Sequence, residues 1–185
     1  MLQDLFTALW FFLPAGLANM FPVFAAKLPV LKNWDYPMDF NLQFRGQRVL
    51  GSHKTIRGLI TGVVIGIIIV GLQKELYLNW APSLRSILAV NYTQINFVYL
   101  GALLGFGAIF GDAVKSFFKR QLNIPSGETW MFFDQIDYIL GGIVFTYWYA
   151  PLSLEQYIYL TVLYFGLHML TTVIGYLIGL KEKPF

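Results

Sequence analysis

The chain has 185 residues, of which 57% are hydrophobic and 12% charged, with a net charge of +3 and no cysteine. Soluble domains carry about 25% charged residues, and a water-soluble chain this short lacks the interior to hide so much apolar surface. Disulfide scaffolds and cysteine metal sites are excluded, and in a membrane protein a small basic excess follows topology and is no argument for nucleic acid.

A bilayer core about 30 Å thick takes roughly 20 apolar residues to cross. Residues 5–26 form the first such run. The only charge before it is Asp4, whereas a secretory signal begins basic, so a true span is expected. Further spans are expected at 58–78, 95–111, 136–150 (a short one) and 153–180, with Pro151 turning the chain between the last two. Residues 1–185 thus form a single all-α membrane bundle of about five transmembrane helices, with cytoplasmic loops at 27–57 and 112–134. Gly58, Gly62 and Gly66 recur every fourth residue, as do Gly101 with Gly105 and Gly107 with Gly111. That spacing bares backbone on one helix face and lets helices pack closely.

Basic residues set the orientation. Lys27, Lys32, Arg45, Arg48, Lys54 and Arg57 precede the second span. Lys115, Lys119 and Arg120 follow the third, and Lys181 and Lys183 follow the fifth. Five spans put all of these on one side and leave Lys74 and Arg85 on the other. The positive-inside rule makes the richer side cytoplasmic, with the N-terminus outside and the C-terminus inside. Trp80, Tyr147, Trp148 and Tyr149 then belong to an outer interfacial belt.

The third span runs into Asp112, Lys115, Ser116, Lys119 and Arg120. Asp112, Ser116 and Lys119 share one face of a continuing helix. A turn is expected at Pro125-Ser126-Gly127. Asp134 and Asp137, at i and i+3, then open the fourth span. Three aspartates converging where lipid begins need their charge offset. Either lysines do so, in an ion-pair cluster that anchors helices, or a divalent cation does. Mg²⁺ takes oxygen ligands, commonly one or two carboxylates plus substrate phosphates. Carboxylates beside basic residues favour phosphate chemistry over the alternatives. Gly51 to Gly58 supplies Lys54, Thr55 and Arg57 at a helix start, a setting that suits a polyphosphate, although the Walker spacing is absent.

Ser116-Phe117-Phe118-Lys119-Arg120, Asp134-Gln135-Ile136-Asp137 and Gly111-Asp112 resemble the signature of the CDP-diacylglycerol synthase (phosphatidate cytidylyltransferase) family. The chain departs from bacterial members at Lys115, Pro125-Ser126 and Gln135. With its compact length, its Asn19-x-x-Pro22 and its Gly51-x-x-Lys54-Thr55-x-Arg57-Gly58, it is similar to the archaeal branch, the CDP-archaeol synthases. The resemblance implies a CTP-dependent cytidylyltransferase of the cell membrane that needs Mg²⁺. Its acceptor would be 2,3-di-O-geranylgeranylglycerol 1-phosphate, a lipid phosphate with isoprenoid ether chains. The resemblance carries over Asp112, Asp134 and Asp137 as metal or catalytic carboxylates, with Lys119 beside them. It carries over Lys54, Arg57, Ser116, Lys119 and Arg120 as phosphate contacts.

Asn19, polar at membrane depth, either reads the cytosine edge or bonds to a neighbouring helix. His168 is expected to make a helix-to-helix hydrogen bond. The expected reaction is attack of the lipid phosphate on the α-phosphorus of CTP, with pyrophosphate leaving. The rival is a membrane cation channel or transporter, for which intramembrane carboxylates are also typical. Against it, the charges lie at the membrane edge and not at mid-span.

Overall fold

The computed structural model describes residues 1–125 and 128–179. Ser126 and Gly127 of the expected turn, and the tail with Lys181 and Lys183, lie outside the described residues. Six helices carry almost all of the order: α1 (Leu2–Ala25), α2 (Ile56–Glu75), a short α3 (Leu84–Ile87), α4 (Phe97–Gln121), α5 (Phe133–Thr146) and α6 (Leu154–Leu177). A π-helical turn, Leu76–Trp80, prolongs α2. Four of these are long and apolar enough to cross a membrane: α1, α2 with its extension, α4 and α6, with mean hydropathies of 1.5, 2.0, 1.8 and 1.6. The expected short span is α5, whose 14 residues cover about 21 Å at 1.5 Å per residue. The chain is a multi-pass helical membrane bundle.

Two boundaries differ from expectation. The third span does not end at Gly111 but continues as helix to Gln121, so the first ten residues of the expected 112–134 loop are helical. Their charges remain compatible with a helix because Lys115, Lys119 and the aspartates neutralise one another there. The 27–57 connection is also more ordered than a basic loop. It holds a two-stranded hairpin, β1 (Gln43–Phe44) and β2 (Gln47–Arg48), in antiparallel register.

The glycines make the packing. A Cβ on Gly105 would lie 2.6 Å from the Gly62 carbonyl oxygen, and one on Gly107 would lie 2.7 Å from that of Gly141. A side chain at either place would push α4 off α2 or off α5. α1 runs through the middle, burying Ala8, Phe11, Phe12 and Ala15 against Leu100, Leu104, Ile139 and Leu160. Phe12 packs edge-on to Tyr164, with 5.0 Å between ring centroids. Tyr164 donates to the Leu9 carbonyl at 2.6 Å, and Tyr138 donates to the Tyr164 carbonyl at 2.9 Å. The His168 ring lies 5.6 Å from that of Tyr138. At the far end, Trp80 and Trp148 are exposed, while the Tyr149 hydroxyl accepts from the Asn96 amide at 2.9 Å.

One buried carboxylate orders the 27–57 connection. Asp39, whose side chain is fully buried, accepts from Arg48 Nη2 at 2.7 Å, from the Leu50 amide at 2.9 Å and from the Asn41 amide at 3.1 Å. Burial alone pushes its carboxyl up, but the guanidinium and two amides outweigh that and hold it below the usual carboxylate range. Beside it, the Met38 amide bonds to the Lys54 carbonyl at 2.8 Å and the Ile56 amide to Tyr36 at 2.9 Å. These bonds fix the approach to α2.

Candidate active site

Lys115 is the centre of the site. Its ammonium lies 3.0 Å from Asp112 Oδ1, 2.8 Å from Asp134 Oδ1 and 2.7 Å from Asp137 Oδ2. Asp112 precedes it by three residues on α4, and the two α5 aspartates reach it from one turn of α5. The convergence follows from the backbone. A Cβ on Gly111 would collide with the Asp137 carbonyl oxygen, so α4 and α5 touch just before Lys115. Lys119 lies 3.4 Å from Asp134 Oδ1 and also donates to the Glu128 carbonyl. Asp134 Oδ2 accepts from the Trp130 amide at 2.6 Å. On the other flank, Lys54 pairs with Asp112 Oδ2.

The three aspartates therefore come together as expected, but around an ammonium. Among the described residues, no group of three His, Asp or Glu side chains is open to a metal ion, because Lys115 fills the point on which these converge. Their donor chemistry still suits Mg²⁺, since all are hard carboxylate oxygens. Lys115 was missed as a site residue in the sequence. Its place three residues after Asp112, on the same helix face, was the signal available.

Two cavities meet at this cluster. One, of about 510 Å³, opens between α1, the 27–57 connection, the start of α2 and α4. Its wall includes Asn19, Lys27, Lys54, Thr55, Arg57 and Asp112. The other, of about 500 Å³, lies between α4 and α5, with Phe110, Val114, Phe118, Leu140 and Val144 in its wall, and Lys115 and Asp137 at its charged end. The Asp112–Lys115 pair joins one cavity to the other.

The remaining expected residues divide. Asn19, Lys54, Thr55 and Arg57 line the polar cavity. Two of them also hold the backbone. Thr55 caps α2, accepting from the Gly58 amide at 3.2 Å. Arg57 donates to the Leu31 and Lys32 carbonyls at 2.9 and 3.0 Å, closing the turn after α1. Ser116 accepts from the Gly51 amide at 3.2 Å and ties the 27–57 connection to α4. Ser116, Lys119 and Arg120 are not in the wall of the polar cavity. Arg120 is buried, and its Nε has no hydrogen-bond partner.

A helical membrane bundle that sets one carboxylate–lysine cluster between a polar and an apolar cavity defines an intramembrane enzyme handling one charged and one lipidic reactant. A family model described as CarS-like CDP-archaeol synthase matches residues 1–185. The chain belongs to the CDP-archaeol synthase family. It is 35% identical to the CDP-archaeol synthase of Methanocaldococcus jannaschii over 96% of both chains. It is 34% identical to that of Thermococcus gammatolerans, over 100% of this chain and 98% of the relative. A solved structure of an intramembrane enzyme of archaeal membrane lipid biosynthesis superposes with a TM-score of 0.70 at 26% identity, over 90% of this chain and 92% of that one.

Proposed function

We infer that this protein is a CTP-dependent cytidylyltransferase that converts 2,3-di-O-geranylgeranylglycerol 1-phosphate to its CDP-lipid and releases pyrophosphate. Family membership supports the reaction class. The observation that carries the mechanism is the shared wall of the two cavities, where Asp112 of the polar cavity lies 3.0 Å from Lys115 of the apolar one. A nucleotide triphosphate suits the first cavity, where Lys27, Lys54 and Arg57 supply positive charge. Isoprenoid chains suit the second, which opens between α4 and α5.

A lipid phosphate held at the charged end of the apolar groove faces the triphosphate across this wall. A phosphate monoester is ionised at neutral pH, its second pKa being about 6, so attack needs no general base. One of its oxygens forms a bond to the α-phosphorus of CTP. The bond from that phosphorus to the β-phosphate oxygen breaks, and pyrophosphate leaves with the electron pair. Lys54 and Arg57 offset the charge on the leaving group. Asp112, Asp134 and Asp137 would hold Mg²⁺, which would supply charge neutralisation on the triphosphate. Lys115 orients the carboxylates and adds the cation nearest the groove.

The concentration of basic residues at this end supports a cytoplasmic site, with Met1 on the outer side. The test uses purified full-length protein in detergent. Pyrophosphate release from CTP should require the lipid phosphate. Release that is independent of the acceptor, or equal turnover of ATP, GTP and UTP, would refute the assignment. Mg²⁺ flux into liposomes without CTP would favour the channel reading.

A further inference from the structure

The hairpin of the 27–57 connection has no part in the chemistry, yet it exposes three large apolar side chains within five residues. Phe40 is 71% exposed, Leu42 62% and Phe44 48%. The backbone turns through the left-handed region at Phe40 (φ 47°), Asn41 (φ 62°), Arg45 (φ 52°) and Gly46 (φ 75°). For a bulky aromatic residue such as Phe40 that conformation is strained, and here it directs the ring outward instead of into the core.

The height of the hairpin relative to the bundle is fixed. Gln47 Nε2 donates to Asn123 Oδ1 at 2.9 Å, just past the end of α4. The Phe44 ring lies 6.1 Å from that of Phe117, which in turn lies 5.5 Å from that of Phe118. Phe118 is half exposed and forms part of the wall of the apolar groove. The hairpin therefore sits beside the last turn of a membrane-spanning helix, at headgroup depth.

Its charge suits the same place. The Arg45 guanidinium lies over the Phe44 ring, 5.4 Å from the centroid. Among the described residues, Arg45, Lys27 and Lys32 form no ion pair. Aromatic and aliphatic side chains interleaved with basic ones are the chemistry of an element lying in an anionic interface, with rings among the glycerol groups and cations on the phosphates.

We propose that residues 40–46 form an interfacial foot that seats in the anionic headgroup layer beside the mouth of the apolar groove. This rests on the membrane reading of the bundle alone and stands whether or not the cytidylyltransfer assignment holds.

The chain has no cysteine, so Phe40→Cys and Leu42→Cys each give one labelling site for an environment-sensitive fluorophore. The full chain is placed in vesicles of phosphatidylglycerol and phosphatidylcholine. Lipids carrying a nitroxide near the headgroup should quench both labels at least threefold more than aqueous iodide does. Replacing phosphatidylglycerol by phosphatidylcholine should weaken the lipid quenching, and Arg45→Gln should reduce that dependence. Hydrogen exchange of the unsubstituted protein keeps the apolar side chains in place, and amides 40–46 should exchange more slowly in the anionic vesicles than in neutral ones. Labels quenched by iodide as freely as the free dye, with exchange indifferent to lipid charge, would overturn the proposal. So would energy transfer between labelled copies without lipid quenching, which would make this surface a contact between protein molecules.

Discussion

The Lys115 ammonium lies 2.7 Å from Asp137 Oδ2, across the contact between α4 and α5. That single pair crosses from the helix bearing the Ser-x-x-Lys-Arg segment to the helix bearing the Asp-x-x-Asp segment. Two sequence features that look independent are thus parts of one charge cluster.

Removing the ammonium tests what it holds together. Lys115→Met keeps the length of the side chain but leaves three carboxylates facing one another. Breaking a buried ion cluster on one side costs about 3 kcal/mol or more. The melting temperature in detergent should fall by several degrees. Millimolar Mg²⁺ should restore more of it in the variant than in the parent protein, because the cation then enters the vacated centre. A variant whose melting temperature ignores Mg²⁺ would show that the aspartates do not bind it.

The α5 carboxylates separate catalysis from scaffolding. Asp134→Asn and Asp137→Asn remove charge with little change in shape. If they hold a metal on the triphosphate, turnover should fall about 100-fold or more, equivalent to about 3 kcal/mol of transition-state stabilisation. The melting temperature should change little beside that loss. Variants that melt early yet keep most of their turnover would reduce both residues to partners of Lys115 and Lys119.

Helix contact is tested without touching a charge. In Gly111→Ala the new methyl group meets the Asp137 carbonyl oxygen, so α5 must move away and draw its aspartates from Lys115. Overpacking of this kind costs about 1–3 kcal/mol, and turnover should drop at least tenfold. Gly166→Ala is the control, since nothing lies within 4 Å of the added Cβ. Its activity and melting temperature should match those of the parent. Equal behaviour of the two variants would mean that the α4–α5 contact does not set the site.

Asp39 makes a prediction about pH. Its carboxyl titrates lower when folded than when unfolded. Its contribution is therefore complete above the unfolded value of about 3.9 and is lost as pH falls through the lower folded value. Charge-assisted hydrogen bonds to a buried carboxylate are worth about 2 kcal/mol. Asp39→Asn should speed proteolysis of the 27–57 connection at pH 7, and the gap from the parent should close as pH drops below about 4. A gap that persists unchanged at pH 3 would place the effect elsewhere.

The spans were legible because apolar runs of membrane length leave little else for the chain to do. The close-packing glycines were legible too, since Gly62, Gly105, Gly107 and Gly111 repeat at helical spacing. The end of α4 was not, because Asp112, Lys115 and Lys119 look like loop chemistry until their partners are known. Lys54 is 58 residues from Asp112, and no local spacing reports such a pair. Arg57 and Ser116 were taken for phosphate contacts on motif alone. Folded, Arg57 closes a turn and Ser116 ties a loop to α4. Asp39 gave no sign at all, because its role depends on Arg48 and on two backbone amides that only the folded hairpin brings near.

The brevity of α5 bears on how a lipid substrate reaches a charged centre. A helix of about 21 Å lies beside the groove in a hydrocarbon slab of about 30 Å. Mismatch of that size is relieved by thinning the adjacent leaflet or by drawing headgroups inward. A substrate entering there can sink its phosphate toward Lys115 while its isoprenoid tails stay in oil. Lifting the tails into water instead would cost about 0.8 kcal/mol for every carbon exposed. The truncated helix is in effect a dent in the membrane, and the dent lets an amphiphile meet a water-soluble nucleotide without either leaving its own solvent.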